Sequence, residues 1–294
     1  MVVNKTRKIL LIILVLLLVG CQNSSETQKE SYFEVHFLSV GQADAILVAC
    51  DDHYMMIDCG TKSKRLEIDL YLKEQGVDYF DYLVCTHPDS DHYGGFEGVL
   101  NNRKVGTIYC STSGKDIDNI EFNKFSNEGK IKVPTIGKTL KLGPISIEVK
   151  KPTTFMLGSA FVEVLAVNID ENSKNDSSIV LMITYGNNKF LFTGDAEKKT
   201  EKYLVENKDI KCDVLKVAHH GSFTSSSDAF LQKADPKYAV LCVSEGNDPP
   251  YKEVLDRLDD REILYFRTDN GHIICKSNGK DIEFTDRNGN RLDY

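Results

Sequence analysis

Short apolar runs recur along the chain, each followed by a polar loop or by a stretch with helical spacing. The runs Phe33–Val40, Ala45–Val48, Tyr54–Ile57, Tyr82–Cys85, Ile145–Val149, Ile179–Thr184, Lys189–Phe192, Val214–Val217, Tyr238–Val243 and Ile263–Phe266 are rich in β-branched and aromatic residues and predict strands. In Ile145, Ile147 and Val149 the apolar positions alternate, as in a strand with one buried face. Helical spacing appears over 64–75, where Leu66, Leu70 and Leu72 precede Gly76, and over 196–207, 225–234 and 251–259. No repeat, Pro-rich linker or low-complexity stretch divides the chain after its first thirty residues. This mixture predicts an α/β (α+β) fold, with strands and helices layered around one sandwich-like core.

The N-terminus follows a different pattern. Lys5, Arg7 and Lys8 precede an unbroken apolar run, Ile9–Val19. At ~1.5 Å per residue such a helix reaches about 16 Å, roughly half a bilayer core, so the segment reads as an export signal rather than a membrane span. Leu18-Val19-Gly20-Cys21 resembles the lipobox of bacterial lipoproteins, which implies lipidation at Cys21 and a protein anchored on the extracytoplasmic face of the cell membrane. Residues 1–20 are thus expected to be a lipoprotein signal peptide, 21–31 a flexible polar tether and 32–294 the folded domain.

Composition narrows the class further. The 294 residues are 41% apolar and 27% charged, which excludes a disordered chain, a collagen-like repeat and a multi-span membrane protein. The formal charge is −8; without residues 1–20, 33 basic residues face 44 acidic ones, a balance of −11. So acidic a chain is a poor general polyanion binder, and any nucleic-acid role must rest on a local site. Apart from Cys21 there are seven cysteines, an odd number with no C-x-x-C spacing, so a zinc ribbon or thioredoxin-like site is excluded and reduced, structural thiols are expected.

Three predicted strands end in metal-capable side chains. Asp81–Thr86 leads into His87-Pro-Asp89-Ser-Asp91-His92, Lys189–Thr193 into Gly194-Asp195, and Cys212–Ala218 into His219-His220-Gly221-Ser222. Four of the seven histidines lie in these segments. Imidazole and carboxylate together suit Zn²⁺, Mn²⁺ or Fe²⁺ better than Ca²⁺, which takes oxygen alone. In His87-x-Asp89-x-Asp91-His92 the first two groups can serve one cation and the last two a neighbour about 3.5–4 Å away, with Asp195 able to bridge. His36, His53 and His272 stand apart from these segments and read as structural.

Together these segments resemble the metallo-β-lactamase fold, specifically its competence-protein (ComEC-like) branch. The likeness runs from about residue 33 to 285 and rests on Phe37–Ile46, Met56-Ile-Asp58-Cys-Gly60, Thr86–Gly95, Gly137-x-x-Leu140-x-Leu142-Gly143, Asn175–Leu181, Phe192–Asp195 and Leu215–Ser222. It implies an αββα sandwich with two divalent metal ions, Zn or Mn, in a groove along one edge. His87 and Asp89 would hold one ion, Asp91 and His92 the other; Asp195 would bridge, and His219 or His220 would add a ligand. Asp58 would support the metal loop from behind, and Asp91 and Asp195 would be the catalytic carboxylates. The third-motif histidine is replaced by the polar segment Asn175–Ser178, which favours Mn²⁺ over Zn²⁺ at the first position. Where the branch carries a late histidine, this chain has Asn247-Asp248-Pro249-Pro250.

The function expected is a metal-dependent hydrolase of phosphodiesters, phosphodiesterase or nuclease in type, acting through a metal-bound hydroxide. Lys216, Ser222 and Thr224 are candidates to position a phosphate, and single-stranded DNA is a candidate substrate. The competing expectation is a non-catalytic surface lipoprotein that keeps the fold to bind a ligand or partner.

Overall fold

The computed structural model describes residues 31–111, 140–142, 145–147, 154–170, 172–246 and 249–292. Residues 1–30, which hold the expected export signal, Cys21 and all of the expected tether but Ser31, lie outside the described residues, as do Val149, Asn247 and Asp248. The first sheet contains β1 (Phe33–Phe37), β2 (Ala45–Cys50), β3 (His53–Cys59), β4 (Tyr79–Cys85) and β5 (Lys104–Cys110). A separate two-stranded ladder pairs β6 (Leu140–Leu142) with β7 (Ile145–Ile147). The second sheet contains β8 (Thr154–Leu157), β9 (Ala160–Ala166), β10 (Val180–Tyr185), β11 (Asn188–Phe192), β12 (Val214–Lys216), β13 (Tyr238–Leu241) and β14 (Leu264–Arg267). The chain then returns to the first sheet through β15 (Ile273–Ser277) and β16 (Ile282–Thr285). The orders are β16-β15-β1-β2-β3-β4-β5 and β14-β13-β12-β11-β10-β9-β8. Each sheet is antiparallel on one side and parallel on the other, through β3–β4–β5 and β11–β12–β13–β14.

Both faces of the central strands are covered, which explains why they read as continuous apolar runs. In β2, Ile46, Val48 and Cys50 enter the core between the sheets, while Ala45 and Leu47 meet the helices outside. In β10, Leu181, Ile183 and Tyr185 point inward and Val180 and Met182 outward. The inter-sheet layer is joined by Phe33 on Phe190, with ring centroids 4.7 Å apart, and Phe37 on Phe192 at 6.2 Å. Each fully buried Phe contributes ~1.5–3 kcal/mol. The outer layers are α1 (Arg65–Glu74) and α3 (Phe96–Asn102) on the first sheet, and α4 (Lys198–Asn207), α5 (Asp228–Ala234) and α6 (Lys252–Asp259) on the second. The short helix α2 (Ser90–Tyr93) belongs to the loop after β4. The architecture is therefore the αββα sandwich expected.

Helix α1 corrects one detail. Its buried residues are Ile68, Tyr71 and Leu72, while Leu66 and Leu70 are 66% and 55% exposed. Tyr71 takes the core position because its hydroxyl finds a partner there, His36 Nδ1 at 2.8 Å. Gly76, at φ +69°, ends the helix as read from the sequence. Strands β5, β8, β9 and β16 and helices α2 and α3 were not among the expected elements. The seven described cysteines are all buried and unbonded.

The first strand also carries an ion pair with a pH signature. Glu34 accepts a hydrogen bond from His36 Nε2 at 3.1 Å and pairs with Lys276 at 3.1 Å. The His36 bond, working against burial and helped by Lys276, pulls Glu34 down to about 2. Its contribution is therefore complete above the ordinary glutamate range and drains as pH falls toward 2. Glu34→Gln should cost about 1–2 kcal/mol of unfolding free energy near pH 6. The gap should close steadily in denaturant titrations at pH 5, 4 and 3; a pH-independent gap would refute the assignment.

Candidate metal centre

The parallel strands deliver their C-terminal ends to one edge of the sandwich, where loops commonly build sites. At the end of β3, Asp58 is fully buried with a left-handed backbone, φ +56°. Its carboxylate accepts three hydrogen bonds from the loop after β4. They come from Thr86 N (2.8 Å), Thr86 Oγ1 (2.6 Å) and His92 Nδ1 (2.7 Å). Gly94 and Gly95 let that loop close onto β3: a Cβ on Gly95 would stand 2.0 Å from Cys59 O, and one on Gly94 2.5 Å from Lys62 N. Only glycine fits there.

Each histidine's Nδ1 is engaged inside the fold, which leaves Nε2 to face the centre. His92 donates from Nδ1 to Asp58, and His220 donates from Nδ1 to Cys242 O at 2.7 Å. Thr86 Oγ1 spends its proton on Asp58, so it accepts from His87 Nδ1 at 3.1 Å. The three Nε2 atoms converge on one atom, Asp195 Oδ2, at 3.7 Å (His87), 3.3 Å (His92) and 3.8 Å (His220). Asp91 Oδ2 lies 3.2 Å from His220 Nε2 and 3.7 Å from His92 Nε2, and Asp89 Oδ2 lies 3.7 Å from His87 Nε2. His219 and His220 occupy consecutive left-handed positions, φ +51° and +54°, followed by Gly221 at +86°. This turn separates the two rings. His220 joins Asp91 and Asp195, whereas His219 pairs through Nδ1 with Glu197 at 3.1 Å and leaves Nε2 4.0 Å from Asp195 Oδ2.

Carboxylates outnumber ammonium groups at the centre. Asp44, Asp58, Asp89, Asp91 and Asp195 converge, and the ammonium groups beside them are those of Lys216, on Asp44, and Lys174, 3.1 Å from Asp89. Burial works against charge on His92, but Asp195 and Asp58 outweigh it and hold its imidazolium well above the usual range. His220 is likewise raised against its burial, by Asp195 and by its hydrogen bond with Asp91. Burial, reinforced by the His92 charge, drops His87 well below the usual range. Burial opposes ionisation of Asp91, yet the His220 hydrogen bond and the His92 charge bring it to about 2.

These residues fit a divalent cation. Asp91, His92, Asp195 and His220 offer ligand atoms all within 4.8 Å of one another. Donors sharing one ion at ~2.1 Å stand roughly 3–3.5 Å apart, close to the separations found. Seven buried side-chain polar atoms among the described residues have no hydrogen-bond partner. Four of them are here: Asp44 Oδ1, His87 Nε2, His92 Nε2 and Asp195 Oδ1. A second group, Asp44, Asp58 and His92, meets the same distance limit. In it the His92 Nδ1 proton is on Asp58 and the Lys216 ammonium is on Asp44 Oδ2, which leaves Asp44 Oδ1 alone without a partner.

Of the residues expected to touch a phosphate, Lys216 is corrected. It is 1% exposed, with its ammonium on Asp44 and on Gly194 O (3.2 Å), so it is enclosed and already paired. Ser222 and Thr224 hydroxyls bond each other at 2.9 Å, and Thr224 also bonds Glu197 at 2.7 Å. In the Asn175–Ser178 segment, Ser178 Oγ accepts from Asp195 N at 3.1 Å and reaches within 3.4 Å of His87 Nδ1, so it supports the site from behind. His36, His53 and His272 bond Tyr71, Asp81 and the Ser39 amide, away from the centre. Asp44, Glu197 and Lys174 were not singled out from the sequence; Asp44 was visible there only as one acid inside the apolar stretch Val40–Val48.

Fold and site agree with the comparisons. Residues 38–245 match the metallo-β-lactamase superfamily, and the chain belongs to it. Its likeness is to the competence-protein branch. It is 30% identical over 267 residues to ComE operon protein 3 of Bacillus subtilis, covering 82% of this chain and 32% of that protein. It is also 30% identical over 261 residues to competence protein ComA of Neisseria gonorrhoeae, covering 87% and 34%. The chain thus spans about a third of the length of these relatives. Among solved structures, the metallo-β-lactamase fold protein YhfI of Bacillus subtilis superposes with a TM-score of 0.52 at 12% identity, over 83% of this chain and 100% of that one, a likeness of fold.

Asp58 gives this geometry a direct test. Asp58→Asn keeps the size but weakens the acceptor that fixes His92. It should lower Mn²⁺ and Zn²⁺ affinity about 10–100-fold in chelator competition. Unchanged affinity in a folded variant would remove Asp58 from the site.

Proposed function

We propose that the chain is an exported, lipid-anchored hydrolase that uses two divalent ions, zinc or manganese, to cleave phosphodiesters, single-stranded DNA among them. The observation that carries this reading is the convergence of the His87, His92 and His220 Nε2 atoms on one oxygen of Asp195. His87 and Asp89 would hold one ion, Asp91, His92 and His220 the other, with Asp195 between them. The names of the competence relatives support a nucleic-acid phosphodiester over a β-lactam. Divalent ions supply, when bound, Lewis acidity for a phosphoryl oxygen and a water acidified near neutral pH.

The chain's own residues set the rest. Asp58 and Cys242 O hold two imidazoles in the tautomer that presents Nε2. Asp91 and Asp195 supply negative charge where cations must be kept close together. His219, 28% exposed and tied to Glu197, borders the open side with Thr224. Among the described residues no helix is long and apolar enough to cross a membrane, and the anchor in this reading is the lipid at Cys21.

Two variants test the proposal. Asp195→Asn should fold and yet lose about 10²–10³ in turnover of bis-aryl phosphate and of single-stranded DNA with added Mn²⁺, equivalent to ~3–4 kcal/mol. A variant matching the wild-type rate would deny Asp195 any catalytic role. A wild type that neither retains metal nor cleaves any phosphoester would instead establish the non-catalytic surface lipoprotein. For the anchor, Cys21→Ser should release the protein from the membrane fraction or leave an unprocessed precursor. Normal processing with full membrane retention would end the lipoprotein reading.

A further inference from the structure

The two oxygens of Asp195 face different surroundings. Oδ2 takes the approach of four imidazole Nε2 atoms, at 3.3–4.0 Å. Oδ1 is buried, has no hydrogen-bond partner, and lies 3.8 Å from the ammonium of Lys216. That ammonium is itself fixed. It sits on the Asp44 carboxylate and 3.2 Å from Gly194 O, and Thr193 Oγ1 donates to Lys216 O at 2.7 Å. Asp44 is in turn tied to the metal loop and to the end of β3, through Asp91 O, which accepts from Asp44 N at 3.2 Å, and Gly60 N, which donates to Asp44 O at 2.7 Å. A fully buried lysine is costly unless paired, and a hydrophobic residue in its place would avoid that cost. The carboxylate torsion of an aspartate is soft and nearly two-fold, so packing alone does not decide which oxygen faces the cations.

We propose that Lys216 is a positioning residue of the metal centre: its ammonium claims Asp195 Oδ1 and thereby leaves Oδ2 as the single point on which both cation positions converge. The inference rests on the two-ion reading above. Without the ammonium, Asp195 is free to turn and chelate one ion with both oxygens, and the second ion loses the ligand it shares. The residue first expected to touch a phosphate then acts one layer back, through Asp195.

The test is a Mn²⁺ titration of the full, detergent-solubilised chain, followed by electron paramagnetic resonance and by metal content. Wild type should bind two ions per chain and show a spin-coupled pair. Lys216→Met should keep the first ion, bind the second at least about tenfold more weakly, and give the six-line signal of isolated Mn²⁺. Because Lys216→Met strands the Asp44 charge, the double variant Asp44→Asn/Lys216→Met is titrated beside it; it removes both charges and should behave the same way. A folded variant that keeps the coupled signal and the wild-type second affinity overturns the role of Lys216 alone. A wild type that binds a single ion overturns the two-ion reading, and this inference with it.

Discussion

The site depends on a buried carboxylate at the end of one strand. Asp58 has no solvent access and sits in a left-handed conformation that costs a non-glycine residue ~1–2 kcal/mol. In return it accepts from the backbone and side chain of Thr86 and from His92. One group thereby fixes the loop after β4, the tautomer of His92 and, through the hydroxyl of Thr86, the orientation of His87. If that acceptor is removed, nothing in the loop's sequence decides which nitrogen faces the centre.

The turn after β12 stores strain of the same kind. His219 and His220 are both left-handed, and helical or extended backbone would send their rings elsewhere. Local bonds offset the cost. Ser222 N donates to His219 O, Ser225 Oγ donates to Ala218 O, Tyr251 N donates to Gly221 O, and His220 Nδ1 donates to Cys242 O. Gly221 completes the turn, because a Cβ there would press on Pro250 at 2.9 Å. The two adjacent histidines are thus divided, one to Asp91 and Asp195 and the other to Glu197.

This division marks where the sequence stops being legible. Runs such as Ala45–Val48 and Ile179–Ile183 announced their strands because both faces are buried and every position is apolar. Strand β5 did not, since Lys104, Gly106 and Thr107 break its pattern, and β9 hid behind an exposed Phe161 and a polar Glu163. The ligand-type residues were legible because they cluster at the ends of three strands. The choice between His219 and His220 was not, since it turns on backbone angles that no side chain encodes. Asp44 and Lys216 are 172 residues apart in the chain and meet only in the fold; residue type gave Lys216 a charge but not a partner.

The same contacts set the charge balance at the centre. Aromatic contacts between the sheets involve strands of both halves, Phe33 on Phe190, Tyr82 on Phe155 and Tyr238 on Phe284, while the loops after the parallel strands carry the carboxylates. Once His92 and His220 give up the Nε2 protons that a cation displaces, five carboxylates stand against two ammonium groups at this edge. Burial weakens screening by salt, so that excess of negative charge acts strongly over short distances. A divalent cation held by those two nitrogens would restore the two positive charges that the protons carried.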